Sequence, residues 1–418
     1  MHKVSIIIPV IRPDKAERCV DAIFDAIHEE GFPPGVIEIV DVFDRDGIGC
    51  PSMVAKLTKM ARSENILFLG DDTIPQPGFI HAALDAMATL PDGWGLVGLN
   101  DGIHNGALAT HWLASKKLLD HLPGGEFFHT GYSHCFCDRE LTDIARELGR
   151  YVYAPGAKII HDHPHVTGEA YDDGYKKAYA KDAFEHDQRL YRTRKIARSA
   201  ANGGKLGIAF PLVDRDVSAN FMISMLTMEK PDYTLLLPRF PAGRFHESLA
   251  AVRNDLVEQA IEEGCTHLLM MDTDQVYPDD TISRLMAHGK PVVGAAVHRR
   301  WPPFDLILLR GEVGAYTHVP EEECYGGGLV EVDATGTGCI LFDMSVFLDL
   351  PAPWFSFGVQ DGKPVGEDIM LCSRLRKAGI PIHVDTSLEI THLTDLQVNR
   401  STRELFKRLH KHEFAQAD

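Results

Sequence analysis

Aspartates and histidines stand at the ends of apolar runs in this chain, in an order that occurs twice. The first copy is ILFLGDDT (66–73), then Asp138, Arg146, Gly149 and the run KIIH ending at His161; the second is HLLMMDTD (267–274), then Asp368, Arg376, Gly379 and EITH ending at His392. The steps from Asp to Arg to Gly are eight and three residues in both copies, and the Gly-to-His steps are twelve and thirteen. In DTD an extended backbone projects Asp272 and Asp274 to one side, which makes a carboxylate pair for a divalent cation. Oxygen donors of this kind suit Mg²⁺ or Mn²⁺, which keep open positions for phosphate oxygens. His392, at the end of another strand, adds a nitrogen donor that favours Mn²⁺.

The first copy departs from this pattern. Its motif is Asp71-Asp72-Thr73, and neighbouring residues on a strict strand face opposite ways, so a turn beginning at Gly70 is required to aim Asp72 at a metal. His161, His163 and His165 form H-D-H-P-H, a cluster able to hold zinc by itself; His161 alone matches the repeat and is the expected ligand. The bland alternatives are that Asp-x-Asp after a strand simply begins a turn and that a lone histidine is structural. The common order and the repetition favour the metal reading.

The elements that must position these residues alternate between short apolar strands and amphipathic helices. The first half reads VSIIIPV, a helix over 17–30, VIEIVDVF, a helix over 52–62 and NILFLGDD; the second reads KLGIAFPLV, a helix over 218–228, YTLLLP, a helix over 245–263 and THLLMMDTD. That alternation predicts an open, largely parallel α/β sheet in each half, with ligands beyond the carboxyl ends of the strands. Both aspartate clusters fall there. A repeat of this size predicts two tandem domains, 1–200 and 205–418, divided at the Gly-rich stretch AANGGK (200–205) that follows a charged helical segment over 171–199.

At 418 residues the chain suits two domains. A hydrophobic fraction of 44% and a charged fraction of 24% are ordinary for a globular protein, and no run is long and apolar enough to span a bilayer. Pro9, Arg12 and Asp14 end the first apolar run too early for a secretory leader. The net charge of −18 disfavours a broad nucleic-acid surface. Eight cysteines without a C-x-x-C pair predict reduced thiols and a cytoplasmic setting. The Cys135–Cys137 pair beside His129 and His134 reads as incidental rather than as a zinc site.

The sequence resembles the GT-A-fold glycosyltransferases, family 2 in particular, over most of both halves. The likeness is carried by IIIPV at the first strand, Arg253 with Asn254, FLGDDTIPQPGFI (68–80), MMDTDQVYPDDTI (270–282), TGTGCILFD (335–343) and GEDIMLCSRLRKAG (366–379). It implies two GT-A-like, Rossmann-related domains acting on a nucleotide-sugar, most readily a UDP- or GDP-sugar, with Mn²⁺ or Mg²⁺. Asp272, Asp274 and His392 would hold the metal in the second half, and Asp72 and His161 in the first. Asp368 would be the general base of an inverting displacement, with Glu367 its rival and Asp138 its counterpart, where CDRE replaces GED. Pro9, Arg12, Asp44 and Asp71 would border the nucleotide in the first half, and Pro211, Arg253 and Asn254 in the second. The structural alternatives are an Arg253–Asp255 ion pair, Asp44 capping the loop DRDGIG, and Glu367 with Asp368 as the ordinary acidic capping of a helix N-terminal turn.

Two working domains, or a catalytic second domain beside a first that binds acceptor, both fit. A sugar nucleotidyltransferase lacks its Gly-rich triphosphate loop here, and a non-catalytic carbohydrate-binding protein is the remaining alternative. The acceptor, whether glycan, protein, metabolite or modified nucleic acid, is not set by the motifs. Trp112, Trp301, Trp354 and Phe355 are candidate sugar-stacking surfaces.

Overall fold

The run VSIIIPV is apolar at nearly every position, as a strand covered on both faces requires. It forms β1 (Val4–Val10), buried along its whole length. Val4, Ile6, Ile8 and Val10 enter one core and Ile7 the core on the opposite face, which is the two-residue period of a strand expressed as packing. The computed structural model describes residues 3–168, 170–213, 217–239, 248–360, 362–394 and 400–409; the side chains at 165 and 166 lie outside the described residues, and with them the His165 alternative.

The chain divides into two compact units, Met1–Lys195 and Ile196–Asp418. Beside β1, unit 1 holds β2 (Ile37–Phe43), β3 (Asn65–Phe68), β4 (Thr73–Pro75), β5 (Leu96–Asn100), β6 (Trp112–Ser115) and β7 (Tyr151–His161) in the order β2-β1-β3-β6-β5-β7-β4. Antiparallel pairs lie only at β3–β6, β5–β6 and β4–β7. Five of the seven strands therefore run the same way.

Unit 2 holds β8 (Leu206–Ala209), β9 (Tyr233–Leu236), β10 (His267–Met271), β11 (Gln275–Val276) and β12 (Val292–Val297). There follow β13 (Leu308–Arg310), β14 (Thr317–His318), β15 (Leu329–Val332), β16 (Ala334–Thr335), β17 (Cys339–Asp343), β18 (Gly358–Gln360), β19 (Lys363–Val365) and β20 (Ile382–His392). Its main sheet runs β9-β8-β10-β17-β12-β20-β11, with β15 added on β20. Position by position this is the unit 1 order, with the same pairing senses. The pairing of β5 with β7 breaks register after Gly98, and that of β12 with β20 after Ala295. Each unit is thus the expected α/β fold, a mainly parallel sheet flanked by helices.

The helices Pro13–Glu29, Cys50–Met60 and Ala219–Thr227 lie where amphipathic spacing places them. The helix read as starting at 245 is described as Leu249–Glu262, begun by a Ser248 side chain that accepts from the Ala251 amide; 245–247 lie outside the described residues. The charged segment breaks into Asp173–Ala178 and Lys181–Ala201. Tyr191 of the longer helix packs into the unit 1 core, and its fully buried Asp187 accepts from the backbone amides of Ser133, His134 and Cys135. Among the described residues no helix is long and apolar enough to cross a membrane.

Candidate functional site

In unit 2, β10 ends at Met271 and Asp272–Asp274 form a turn, so the alternation of a strand does not apply and the two carboxylates take different partners. Asp272 Oδ1 accepts from Arg253 Nη2 at 2.9 Å. Asp274 Oδ2 lies 2.8 Å from Arg300 Nη1 and 3.4 Å from His392 Nε2. The common platform expected of Asp272 and Asp274 is thus split between neighbours. His392 donates its Nδ1–H to the His298 carbonyl at 2.8 Å, which turns Nε2 towards Asp274. Metal-ligating histidines are characteristically held this way, so Asp274 and His392 fit a divalent ion with open positions.

Arg253 is buried and reaches past Asp272 to Glu367, with Nε 3.6 Å from Oε1, and both Nε and Nη1 lack a hydrogen-bond partner. Asp255 pairs instead with Arg239, at 2.8 Å, so the Arg253–Asp255 alternative does not form. Glu367 and Asp368 open the helix Glu367–Lys377, and Asp368 Oδ1 accepts the Ile369 amide at 2.7 Å. Burial pushes the Asp368 carboxyl up, against the Ile369 hydrogen bond and the charge of Arg253. Burial likewise raises Glu367, with Asp368 adding to it and Arg253 opposing. A Cβ built on Gly336, in the loop TGTG, would lie 3.9 Å from Asp368 Oδ2. The buried Asp368 carboxyl therefore stands within electrostatic reach of Arg253 and Asp272.

Asn254 is occupied structurally: its amide donates to the carbonyls of Ala250 and Phe355, and Oδ1 accepts from Trp354 and Phe355. Pro211 is buried just beyond β8. Trp354 and Phe355 are buried in the unit 2 core and Trp112 in that of unit 1, whereas Trp301 is 72% exposed. Of the four aromatic candidates, only Trp301 offers an open face.

In unit 1 the turn begins at Gly70, whose carbonyl accepts the Thr73 amide at 3.3 Å. Asp71 accepts the backbone amides of Ile11 and Arg12 at 2.8 and 2.7 Å and the Arg12 guanidinium at 2.5 Å. Asp72 meets Arg12 Nη1 at 3.1 Å, His161 Nε2 at 3.6 Å and the Tyr175 hydroxyl. Burial opposes its charge, yet His161, then Arg12 and Tyr175, hold the Asp72 carboxyl well below the usual range.

Asp138 opens the helix Cys137–Glu147 and accepts the Arg139 amide at 2.8 Å, the geometry of Asp368, and burial raises it too. Pro9 lies inside β1 opposite Val42. Asp44 accepts the Ile48 and Gly49 amides at 3.0 and 2.9 Å, the loop-capping alternative.

Strand register aligns the two units. Thr73 pairs with His161 as Gln275 pairs with His392, so Asp72 and Asp274 are equivalent and Gly70 stands where unit 2 has Asp272. A Cβ on Gly70 would lie 2.8 Å from Asp72 Oδ1 and 3.2 Å from His111 Nε2. Burial and neighbouring His161 push the His111 imidazole down to about 3. His111, Asp101, Tyr175 and Arg300 escaped the sequence reading, because none has a counterpart in the repeat that would single it out.

No protein-family profile and no curated protein matches the chain. Solved structures similar to part of it include A197 from STIV, at 16% identity and TM-score 0.32 over 46% of this chain and 86% of that one. Residues 1–349 of S. aureus TarS in complex with UDP-GlcNAc align at 15% identity and TM-score 0.35 over 46% of this chain and 66% of that one. A mutant Drosophila beta-1,4-galactosyltransferase 7 in complex with manganese, UDP-Gal and xylobiose aligns at 14% identity and TM-score 0.31 over 43% and 80%.

Proposed function

We propose that this chain is a metal-dependent, inverting glycosyltransferase that moves a sugar from a nucleotide-sugar to an acceptor hydroxyl, with unit 2 as a working site. The observation that carries the reading is the unit 2 cluster: Asp274 beside His392, Asp272 on a buried Arg253 with unused donors, and Asp368 raised by burial. Asp274 and His392, joined by Asp272, would hold the ion, which when bound supplies positive charge to the departing diphosphate. Arg253 Nη1, which has no hydrogen-bond partner, is suited to an anionic donor group, while Nε faces Glu367.

Asp368 takes the proton of the acceptor hydroxyl as that oxygen bonds to the anomeric carbon and the carbon–oxygen bond to the nucleoside diphosphate breaks. Glu367, tied to Arg253, then keeps the guanidinium in place rather than acting as base. A UDP- or GDP-sugar is the expected donor, and a cytoplasmic setting suits it.

One observation favours a division of labour between two tandem domains. Arg12 lies on both Asp71 and Asp72, and Gly70 replaces the first carboxylate, so unit 1 has less free anionic surface for a donor-bound ion. In this reading unit 1 keeps Asp72, His161 and Asp138 in the places of the ligands and the base but binds acceptor rather than a second donor.

The test is hydrolysis of UDP-, GDP-, ADP-, CDP- and dTDP-sugars by the purified chain with Mn²⁺, Mg²⁺ or EDTA, for wild type, Asp72→Ala and Asp274→Ala. Metal-dependent release of one nucleoside diphosphate, lost in Asp274→Ala, is the expected result. Residual release lost only with Asp72→Ala would show two working sites; no release and no donor binding would overturn the reading in favour of a carbohydrate-binding protein.

A further inference from the structure

Asp101 follows β5, His111 precedes β6 and His161 ends β7, three strands adjacent in the unit 1 sheet. Neighbouring strands lie about 4.8 Å apart, so side chains at their ends converge. One ligand atom from each of the three residues lies within 4.8 Å of the other two, and among the described residues no other His, Cys, Asp or Glu group gathers so closely. Asp101 and His111 are buried and His161 is half-buried.

The surroundings fit a metal. His161 faces the Asp72 carboxylate through Nε2, while its Nδ1 is buried without a hydrogen-bond partner. A carboxylate on one imidazole nitrogen and an ion on the other is the arrangement that orients ligating histidines. The Thr110 hydroxyl donates to Asp101 Oδ2 at 2.7 Å and lies 3.2 Å from His111 Nδ1, which ties the two side chains together. A tetrahedral ion with bonds of about 2.0–2.1 Å holds its donor atoms roughly 3.3 Å apart, so the side chains must close on the ion, around an Asp101 whose Oδ1 is fixed by the Ile103 and His104 amides at 2.9 and 3.1 Å.

Among the described residues, unit 2 has no such set. Gly98 pairs with Trp112 as Gly294 pairs with Ile340, which makes Cys339 the counterpart of His111. Asn100 pairs with Lys158 as Ala296 pairs with Glu389, which makes Val297 the counterpart of Asp101. Unit 1 has thus gained two potential ligands where it lost the carboxylate of Asp272.

We propose that unit 1 binds a divalent transition-metal ion of the Zn²⁺ class on Asp101, His111 and His161. Two imidazoles with one carboxylate favour such an ion over Mg²⁺, which prefers oxygen donors and retains its waters. The inference stands on this geometry and not on the proposed transfer reaction, so a chain inactive towards every nucleotide-sugar leaves it intact.

The experiment uses the full chain stripped with EDTA and titrated with Zn²⁺ and Co²⁺ by calorimetry and visible absorption, for wild type, His111→Gln, Asp101→Asn and, as a control, His392→Gln. Thermal unfolding checks that each variant folds. Wild type and His392→Gln are expected to bind one equivalent that a tenfold excess of Mg²⁺ does not displace, with the Co²⁺ absorption of an imidazole-bearing site. His111→Gln and Asp101→Asn are expected to weaken that equivalent at least tenfold. Unchanged affinity in either folded variant, equal competition by Mg²⁺, or absence of the tight equivalent in wild type would overturn the proposal.

Discussion

Arg253 and Asp272 meet through a 2.9 Å hydrogen bond from Nη2 to Oδ1, the guanidinium almost fully buried and the carboxylate 28% exposed at the side chain. The guanidinium also faces the buried Glu367 at 3.6 Å. Replacing it strands a buried carboxylate, and breaking such a pair costs about 3–5 kcal/mol. Arg253→Met is expected to lose stability of that order in urea unfolding. Arg253→Lys should lose less stability but still weaken donor binding, because an ammonium cannot offer the planar fork. A loss below about 1 kcal/mol in Arg253→Met would show that Glu367 is neutral in the folded chain.

Asp368→Asn separates catalysis from stability. Burial raises the folded pKa of Asp368 above its unfolded value. The protonated form is favoured in the fold, so by linkage that contribution is complete below the unfolded value of about 3.9 and lost as pH rises through the folded one. The amide escapes this loss. Asp368→Asn is expected to be more stable than wild type at pH 7, with the gap closing below about pH 4, while transfer falls about 10²- to 10⁴-fold. The acid limb of the wild-type kcat/KM profile should lie above the ordinary aspartate range. A variant that retains transfer would return the base role to Glu367.

Gly70→Ala probes the crowding around Asp72. Its Cβ would sit 2.8 Å from Asp72 Oδ1 and 3.2 Å from His111 Nε2, whereas a Cβ on Gly328 would meet nothing within 4 Å. Overpacking of this kind costs about 1–3 kcal/mol. Thermal unfolding should show the loss in Gly70→Ala and not in Gly328→Ala. Equal melting temperatures would mean that the Asp72 carboxylate and the His111 ring both move aside freely.

Trp301→Ala tests the one open ring among the four aromatic candidates. At 72% exposure the ring contributes little to folding, and stability should change by no more than about 0.5 kcal/mol. If the ring stacks on an acceptor sugar, KM for acceptor rises while hydrolysis of donor alone is unaltered. A parallel loss of both would place Trp301 on the donor side instead.

The alternation of strands and helices in each half and the placement of both aspartate clusters at strand ends were legible in the amino-acid sequence. Those features follow from local rules: apolar runs make buried strands, 3.6-residue spacing makes helices, and the repeat of Asp, Arg, Gly and His aligns one half on the other. Strand pairing then kept Asp72 equivalent to Asp274 and His161 equivalent to His392.

What only the tertiary structure decided is which side chain each charged group meets. Asp272 turned to Arg253 and Asp274 to His392, because a turn rather than a strand carries them. Arg12 took both Asp71 and Asp72 across about sixty residues of sequence. Asn254 was spent on holding Trp354 and Phe355, and Asp44 on its own loop. Asp101, His111 and His161 converged because β6, β5 and β7 are neighbours in space though not in sequence order. Periodicity reports which face of an element is buried; the partner across that face depends on sheet order and turn geometry, which no local spacing encodes.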